Sequence, residues 1–285
     1  MQWYILVVIS AILISFSDIL KKSILNKEHS AEFSTTHSII ITLLLTPFIY
    51  NLQLNMSNIV IVLLIIKSIL LLASSLLFMK AIKHNQLSKI MPLKNLSPVF
   101  LLILAFAILN EHISTQKLLG VFMILVSGYL LEKESLKKEN ILKNKYFIYV
   151  ILSMIFVSIS ALLDKYLINY VNIYTLLYIP FLLMTIFMII IQFTIYKGYQ
   201  DIKHSIKYGG YWLIISAIVI LISDFTYFLA VAIPGTFISL IIPLRRLSTL
   251  FSTILGGAIF HDKFIVDRIV LCLFMLVGVY LLVTA

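Results

Sequence analysis

Cysteine and charged residues are scarce in this chain of 285 residues, and the motifs of soluble enzymes are missing. Its single cysteine, Cys272, excludes an intrachain disulfide and lies in an apolar run, which favours a packing role. Charged residues make up 12% of the chain, against about 25% in ordinary soluble domains. No phosphate-binding glycine loop, metal-ligand cluster or Ser–His–Asp arrangement is recognisable. We therefore expect no enzymatic activity, no cofactor and no ATP-driven step.

Apolar residues make up 61% of the chain, against about 45–50% in soluble domains. They form ten segments, each near the roughly 20 residues that cross a bilayer as a helix. The segments cover approximately residues 3–25, 33–52, 59–80, 87–109, 118–131, 146–168, 174–196, 209–232, 236–259 and 265–283. The sequence thus predicts an all-α integral membrane protein with ten transmembrane helices.

The two halves of the chain repeat one another. Polar residues of the first segment recur 143 residues later in the sixth, as with Ser10 and Ser153 or Lys22 and Lys165. Because each repeat contains five spans, an odd number, the second repeat must enter the membrane upside down. Inverted repeats of this kind build secondary transporters. We assign 1–131 to the first five-span repeat, 132–145 to a lysine-rich linker and 146–285 to the second repeat.

The lysines predict the orientation in the membrane. Nearly all of them fall in the gaps after odd-numbered segments, and the linker holds five: Lys133, Lys137, Lys138, Lys143 and Lys145. By the positive-inside rule these loops are cytoplasmic and both termini lie outside. The net charge of +10 therefore reflects membrane topology, and we expect lipids and no nucleic acid as partners. A prokaryotic cytoplasmic membrane is the expected location.

One short motif occurs once in each half. Residues 90–97 read IMPLKNLS, and residues 241–248 read IIPLRRLS. A cation inside an apolar segment costs a few kcal/mol or more unless it is paired or hydrated. The simple alternative is a proline-marked helix start with a cation that reaches towards the surface. The repetition favours a substrate site, in which Lys94, Arg245 and Arg246 bind an anionic group.

Hydroxyl side chains accompany these cations. Helical spacing places Ser248 and Thr249 below the two arginines, where the hydroxyls line a wet cavity or serve helix packing. Lys67, on one face with Ser74, adds to the anion site or reaches the outer surface. The predicted substrate-binding residues are Lys94, Arg245, Arg246, Ser97, Ser248, Thr249, Tyr227 and Ser74.

Three aspartates fall inside or near the ends of apolar segments. Asp18 is spaced to pair with Lys22 on one helix face. Asp164 lies near a segment end, which favours an interfacial position. Asp224 is either a buried partner of an arginine or, like Asp18, a site where a proton couples to transport. The acidic residues at turns, Glu111 and Asp262, are expected to be structural.

These features resemble the EamA type of the drug/metabolite transporter superfamily. The resemblance rests on acidic turns that lead into glycine-bearing segments: Asn110–His112, Leu119–Gly120, Ser127–Leu131, His261–Lys263 and Val277–Leu282. It implies secondary transport through a central cavity lined by the third, fourth, eighth and ninth spans, with contributions from the first and sixth. Two features depart from the family: members usually have cytoplasmic termini, and Asp262 stands where glutamate is usual.

We therefore expect a secondary transporter of a small anionic or zwitterionic metabolite, of the amino-acid, phosphorylated or organic-acid type. It would work by alternating access driven by protons or exchange, as a monomer or homodimer. One alternative is a proton-coupled exporter of cationic drugs or metabolites, centred on the buried aspartates. Another is a flippase or assembly subunit without transport of its own.

Overall fold

The computed structural model describes residues 2–109, 114–133, 145–234, 236 and 238–284, which contain helices and no strand. Helices α1 to α12 span Trp3–Leu25, Ser30–Leu45, Asn58–His84, Leu87–Ile90, Ser97–Leu109, Thr115–Lys133, Lys145–Leu167, Ile173–Ile195, Tyr199–Ala232, Ile238–Arg245, Leu247–Ile259 and Ile265–Thr284. Two 3-10 helices cover Thr46–Asn51 and Pro92–Leu96. Glu111 and most of the predicted linker lie outside the described residues.

Large apolar side chains cover the outside of the bundle. Within the described part of the chain, six helices are long and apolar enough to cross a membrane: α1, α2 with its 3-10 extension, α3, α7, α8 and α9. On α8, for example, Ile190 is 52% and Phe193 59% exposed. Such a continuous apolar surface is unfavourable in water and suited to lipid. The chain is therefore a multi-pass membrane protein.

Helices of the first half of the chain pack against helices of the second half. Helix α1 lies against α9 and α7 against α3, while α2 contacts α8 and α6 contacts α12. Hydroxyl pairs join these helices: Ser10 with Ser223, Ser74 with Ser153 and Thr42 with Thr185, each at 2.9 Å. Small polar side chains allow close backbone approach and hydrogen-bond across helices, which is how helices associate in lipid.

The first copy of the repeated motif interrupts a helix. Helix α4 ends just before the motif's proline, a 3-10 helix covers Pro92–Leu96, and α5 follows directly. Pro92 has no N–H to donate, and the Lys94 N–H bonds to the Met91 carbonyl at 3.1 Å, which is the 3-10 spacing. The break places Lys94 in the interior of the bundle, where it is 9% exposed.

The second copy also interrupts a helix, but at the arginines. Helix α10 runs through Pro243 and ends at Arg245, and α11 begins directly after Arg246. Arg246 adopts φ −69° and ψ −9°, away from ideal helical geometry. In the first copy Pro92 does begin a helix, as the alternative interpretation expects, but Lys94 is buried and does not reach the surface. In the second copy Pro243 lies inside α10 and does not mark a helix start.

Two lysines that correspond in the repeat bind backbone carbonyls, Lys22 at the C-terminal end of α3 and Lys165 in the connection between α9 and α10. Lys22 donates to two backbone carbonyls at the end of α3, both at 2.8 Å. Lys165 donates at 2.9 Å to the Thr236 carbonyl, just beyond the end of α9. Terminal carbonyls lack helical partners and carry partial negative charge, so a cation there is stabilising. The predicted pairing of Lys22 with Asp18 is wrong.

Asp262 holds the start of α4, in agreement with its expected structural role. Its Oδ2 accepts hydrogen bonds from the Ser88 N–H at 2.9 Å and the Ser88 hydroxyl at 2.6 Å. A carboxylate in this position satisfies an N–H that has no helical partner. Arg268 also donates to the Ser88 hydroxyl, at 2.6 Å. Together these contacts anchor the short helix that precedes Lys94.

Glu28, in the connection between α1 and α2, is buried against the first segment of α9. Its Oε2 accepts a 2.6 Å hydrogen bond from Ser205, while its Oε1 is buried with no partner among the described residues. Ser205 belongs to residues 199–209, which Gly210 separates from the rest of α9 by a kink at φ +51°. Burial raises the pKa of Glu28 to about 7, outweighing the Ser205 hydrogen bond that lowers it. Glu32 opposes ionisation, while His204 and Lys83 favour it.

Stability should therefore decrease as the pH rises through the range in which Glu28 ionises in the unfolded chain but not in the folded one. This contribution is largest below about pH 4 and is lost between about pH 4 and pH 7. Glu28→Gln should flatten this decline and raise the melting temperature by a few degrees near pH 8. Thermal unfolding of the detergent-solubilised protein across this range measures both effects. Asp267→Asn, at an exposed carboxylate, is the control, and an equal effect of both substitutions would contradict the assignment.

Candidate functional site

Two adjoining cavities lie inside the bundle. The smaller, of about 180 Å³, is lined by Lys67, Asp164, Asp224, Tyr227, Arg245 and Arg246, together with apolar side chains. The larger, of about 260 Å³, is lined by Asp18, Lys21, His37, Lys94, Asp224, Arg245 and Arg246 among others. Asp224, Arg245 and Arg246 line both cavities. The second copy of the repeated motif therefore stands at their boundary.

Arg245 is fully engaged with its neighbours. Its Nη2 donates to Asp224 Oδ1 at 2.6 Å, and its Nε donates to the Ser10 hydroxyl at 2.9 Å. The guanidinium also lies over the Tyr227 ring, 4.3 Å from its centroid. Of the two interpretations of Asp224, the structure shows it as the ion-pair partner of an arginine. A planar guanidinium suits this combination of hydrogen bonds to separate acceptors and ring stacking.

Arg246 has no such carboxylate. Its Nη2 donates to the Ser97 hydroxyl at 2.5 Å, whereas its Nε is buried with no hydrogen-bond partner in the described part of the chain. No carboxylate of the described residues forms an ion pair with it. A partly buried guanidinium without a counter-ion in the bundle interior is unfavourable, so a ligand that supplies negative charge here would be stabilised.

Lys94 and Lys21 share one carboxylate in the larger cavity. Lys94 Nζ donates to Asp18 Oδ2 at 2.5 Å and lies 4.9 Å from the centroid of the Phe78 ring. Lys21 Nζ is 4.0 Å from the other oxygen of Asp18. All three charged side chains are at most 9% exposed. One negative charge therefore compensates two buried lysines.

Lys67 and Asp164 form an ion pair between α3 and α7. The Tyr227 hydroxyl donates to Asp164 Oδ2 at 3.5 Å, and the Lys67 ammonium lies 4.9 Å from the centroid of the Phe228 ring. Asp164 is only 6% exposed and is therefore buried among the helices, while its interfacial depth stays a prediction. Lys67, at 2% exposure, does not reach the outer surface. The pair links the two parts of the chain beside the smaller cavity.

Four predicted hydroxyl residues serve mainly to hold other groups. Ser248 and Thr249 line neither cavity, and Thr249 donates to the Arg246 carbonyl at 2.7 Å. Their face of α11 is buried in helix packing. Ser97 binds Arg246, and Ser74 lines the larger cavity while its hydroxyl pairs with another helix. Of the two interpretations of the hydroxyl stripe, the structure supports packing.

The residues of the larger cavity that the sequence analysis missed include Lys21, Ser34 and His37. Ser34, His37 and Ser38 recur at helical spacing in the second apolar segment, and this polar face was the available signal. Lys21 has no such signal, because it stands at a segment end where lysines are usual.

A helical membrane bundle with charged internal cavities is typical of secondary transporters. The EamA-like transporter family matches the chain twice, over residues 1–132 and 144–284. The chain belongs to this family and is a membrane transporter of the drug/metabolite transporter type.

Other comparisons bear on the fold alone. No curated protein sequence matches the chain. Solved structures do match, and one of them superposes with a TM-score of 0.63 at 13% identity. The match covers 95% of this chain and 96% of the other, whose title reads only "Crystal structure of protein". At that identity the similarity supports the architecture and says nothing about the substrate.

The Lys67–Asp164 pair yields a stability prediction. Lys67→Met leaves Asp164 buried without a cation and should destabilise the protein by about 3–5 kcal/mol. The double variant Lys67→Met/Asp164→Leu removes both charges and should regain most of that loss. Thermal unfolding of the purified protein in detergent compares the two, with the exposed Lys203→Met as a control. Equal instability of the single and double variants would show that the ion pair is not the cause.

Proposed function

We propose that this transporter moves a small anionic or zwitterionic metabolite, of the amino-acid, phosphorylated or organic-acid type, by alternating access. The supporting observation is the charge of the cavities. Five lysine and arginine side chains of the described residues line them, against three carboxylates: Lys21, Lys67, Lys94, Arg245 and Arg246 against Asp18, Asp164 and Asp224. The lining thus has an excess of two positive charges, which an anionic substrate would compensate.

Arg246 is the proposed anchor for the anionic group. It lines both cavities, it has a buried Nε without a partner, and it lacks an ion-pair carboxylate among the described residues. A guanidinium binds carboxylate or phosphate through parallel N–H donors. Lys94 and Arg245 would also bind the substrate. Each would replace part of its interaction with its aspartate, Asp18 or Asp224, by an interaction with the anionic group.

The paired aspartates argue against the alternative of a cation exporter. Such a protein needs a carboxylate that is free to bind a cationic substrate. In the described residues, Asp18, Asp164 and Asp224 each form an ion pair with a basic side chain. Binding of a cation would leave a buried lysine or arginine uncompensated, which costs several kcal/mol.

The repeat supports the alternating-access part of the proposal. We infer ten spans in two inverted five-span repeats, divided at the 132–145 linker. Thr42 and Thr185 are 143 residues apart, the offset that relates the first halves of the repeats, and their hydroxyls meet at 2.9 Å. Residues related by a two-fold axis touch only near that axis. Rocking of two such repeats about a central site is the usual basis of alternating access.

The lysine-rich loops support a location in a prokaryotic cytoplasmic membrane, with those loops on the cytoplasmic side. On this orientation both termini are outside. Lys94 then stands nearer the cytoplasmic end of its span, and the arginines stand nearer the outer end of theirs.

Asp224 and Asp18 are the proposed coupling residues. An anion that takes over Arg245 releases the Asp224 carboxylate inside a low-dielectric bundle, where the ionised form is unfavourable. The carboxylate would then take up a proton. Asp18 would respond in the same way when the substrate engages Lys94. Substrate binding and proton uptake are thereby linked through shared cations.

Arg246→Gln tests the anion site. It should reduce substrate binding and counterflow at least about tenfold, because the charge-assisted hydrogen bonds to the anion are lost. Counterflow in proteoliposomes is measured with amino acids, organic acids and phosphorylated compounds. Lys203→Gln, which removes the same charge at an exposed position, is the control and should behave like the wild type. Unchanged transport in Arg246→Gln would refute the proposal.

Asp224→Asn tests the coupling. It should reduce accumulation driven by a proton gradient, because this site can no longer ionise, and Asp224→Asn/Asp18→Asn should abolish it, while substrate-for-substrate exchange continues. Proton uptake by the purified protein on substrate binding should fall as well. If gradient-driven accumulation and proton uptake persist in the double variant Asp224→Asn/Asp18→Asn, neither residue couples protons to transport.

A further inference from the structure

Two residues of α2 line the larger cavity, and each has a buried polar atom without a hydrogen-bond partner among the described residues. Ser34 is 3% and His37 8% exposed, and both line this cavity. The Ser34 hydroxyl oxygen and His37 Nε2 are buried and have no partner among the described residues. The two residues are three positions apart, which places them side by side on one face of the helix.

The neighbouring polar residues of α2 are satisfied, so the unpaired groups are not a general property of this helix. Ser38 also lines the cavity, but its hydroxyl donates to the Thr35 carbonyl at 2.9 Å. Thr35 in turn donates to the Ala31 carbonyl, also at 2.9 Å. An unpaired buried polar group costs roughly 1–3 kcal/mol, and a ligand group that pairs with it recovers this energy. The His37 ring is held in place by stacking on Phe33, with centroids 5.1 Å apart.

The surrounding charge selects the ligand group. A hydroxyl both donates and accepts, so it satisfies a serine hydroxyl and an imidazole nitrogen together. An ammonium group would instead enter a cavity that already contains Lys21 and Lys94, whose carboxylate, Asp18, is shared between them. Like charges close together in a low-dielectric site repel strongly. A neutral hydroxyl avoids that repulsion.

We propose that Ser34 and His37 form a second subsite, which binds a hydroxyl group of the transported anion. The inference rests on the proposed function and narrows it. The preferred substrates are hydroxylated anions, such as hydroxy acids or polyol phosphates, and amino acids are disfavoured. Arg246 and Lys94 bind the charged end, and the α2 pair binds the hydroxyl.

Matched probes test the subsite in the purified full-length protein. L-lactate, propionate and L-alanine share a carboxylate and a carbon skeleton and differ in hydroxyl, hydrogen or ammonium at one carbon. Glycerol phosphate and propyl phosphate form a second set. Calorimetry and thermal shift should show lactate and glycerol phosphate binding about tenfold more tightly than the other members of their sets.

Substitutions on α2 then test whether Ser34 and His37 cause the preference for hydroxylated ligands. Ser34→Ala/His37→Leu should bring the affinity ratio between the hydroxylated and the hydroxyl-free probe of each set close to unity. Binding of propionate and propyl phosphate should stay unchanged. Ser38→Ala is the matched control on the same helix and cavity, and it should keep the wild-type ratio. If the double variant does not fold, Ser34→Ala alone should lower the ratio.

The outcomes separate the two proposals. Anion binding that depends on Arg246 but shows no hydroxyl preference, or a preference for alanine, overturns the subsite and leaves the anion site intact. A hydroxyl preference that survives the α2 substitutions also overturns the subsite and indicates that water alone occupies that end of the cavity. If no probe of either set binds, both proposals fail.

Discussion

The interior of this bundle depends on one constraint, the free-energy cost of removing charged side chains from water. Three ion pairs meet it: Lys94–Asp18, Arg245–Asp224 and Lys67–Asp164. The first two join elements of the same half, whereas the third connects α3 to α7. Each single charge would be strongly unfavourable in the low-dielectric interior, and only the pairing makes its burial tolerable. The positions of the pairs therefore determine how the helices around the cavities can be arranged.

The carboxylates compensate the positive charges of the cavities only in part, and this excess of positive charge relates the structure to transport. Arg246 has no carboxylate of its own among the described residues, and Asp18 serves two lysines. A site that were fully neutralised by the protein would gain little by binding an anion. A site with excess positive charge is stabilised when an anion binds. The helix breaks at Pro92–Leu96 and Arg246 help to keep these cations inside, because backbone that leaves the helix at membrane depth is tolerated beside a cavity.

Particular residues show how far the sequence could predict this site. The repeated motif identified Lys94, Arg245 and Arg246, since cations in apolar segments are rare enough to be informative. The partners were harder to predict. Asp18 was matched with Lys22 on its own helix, yet it pairs with Lys94, 76 residues away. Asp164 lies near a segment end, and nothing in its own segment indicated that α3 supplies Lys67 as its partner. Local spacing describes one helix, whereas these pairs depend on which helices become neighbours.

The sequence alone determined that the chain is a helical membrane protein with related halves and buried cations, because hydropathy, segment length and the repeat are local properties of the chain. Its family match over residues 1–132 and 144–284 agrees with that reading. Only the tertiary structure decided which charges are compensated, that α11 uses its hydroxyls for packing, and that Ser34 and His37 face a cavity. Those features arise where side chains from distant segments meet, and no local pattern specifies that meeting.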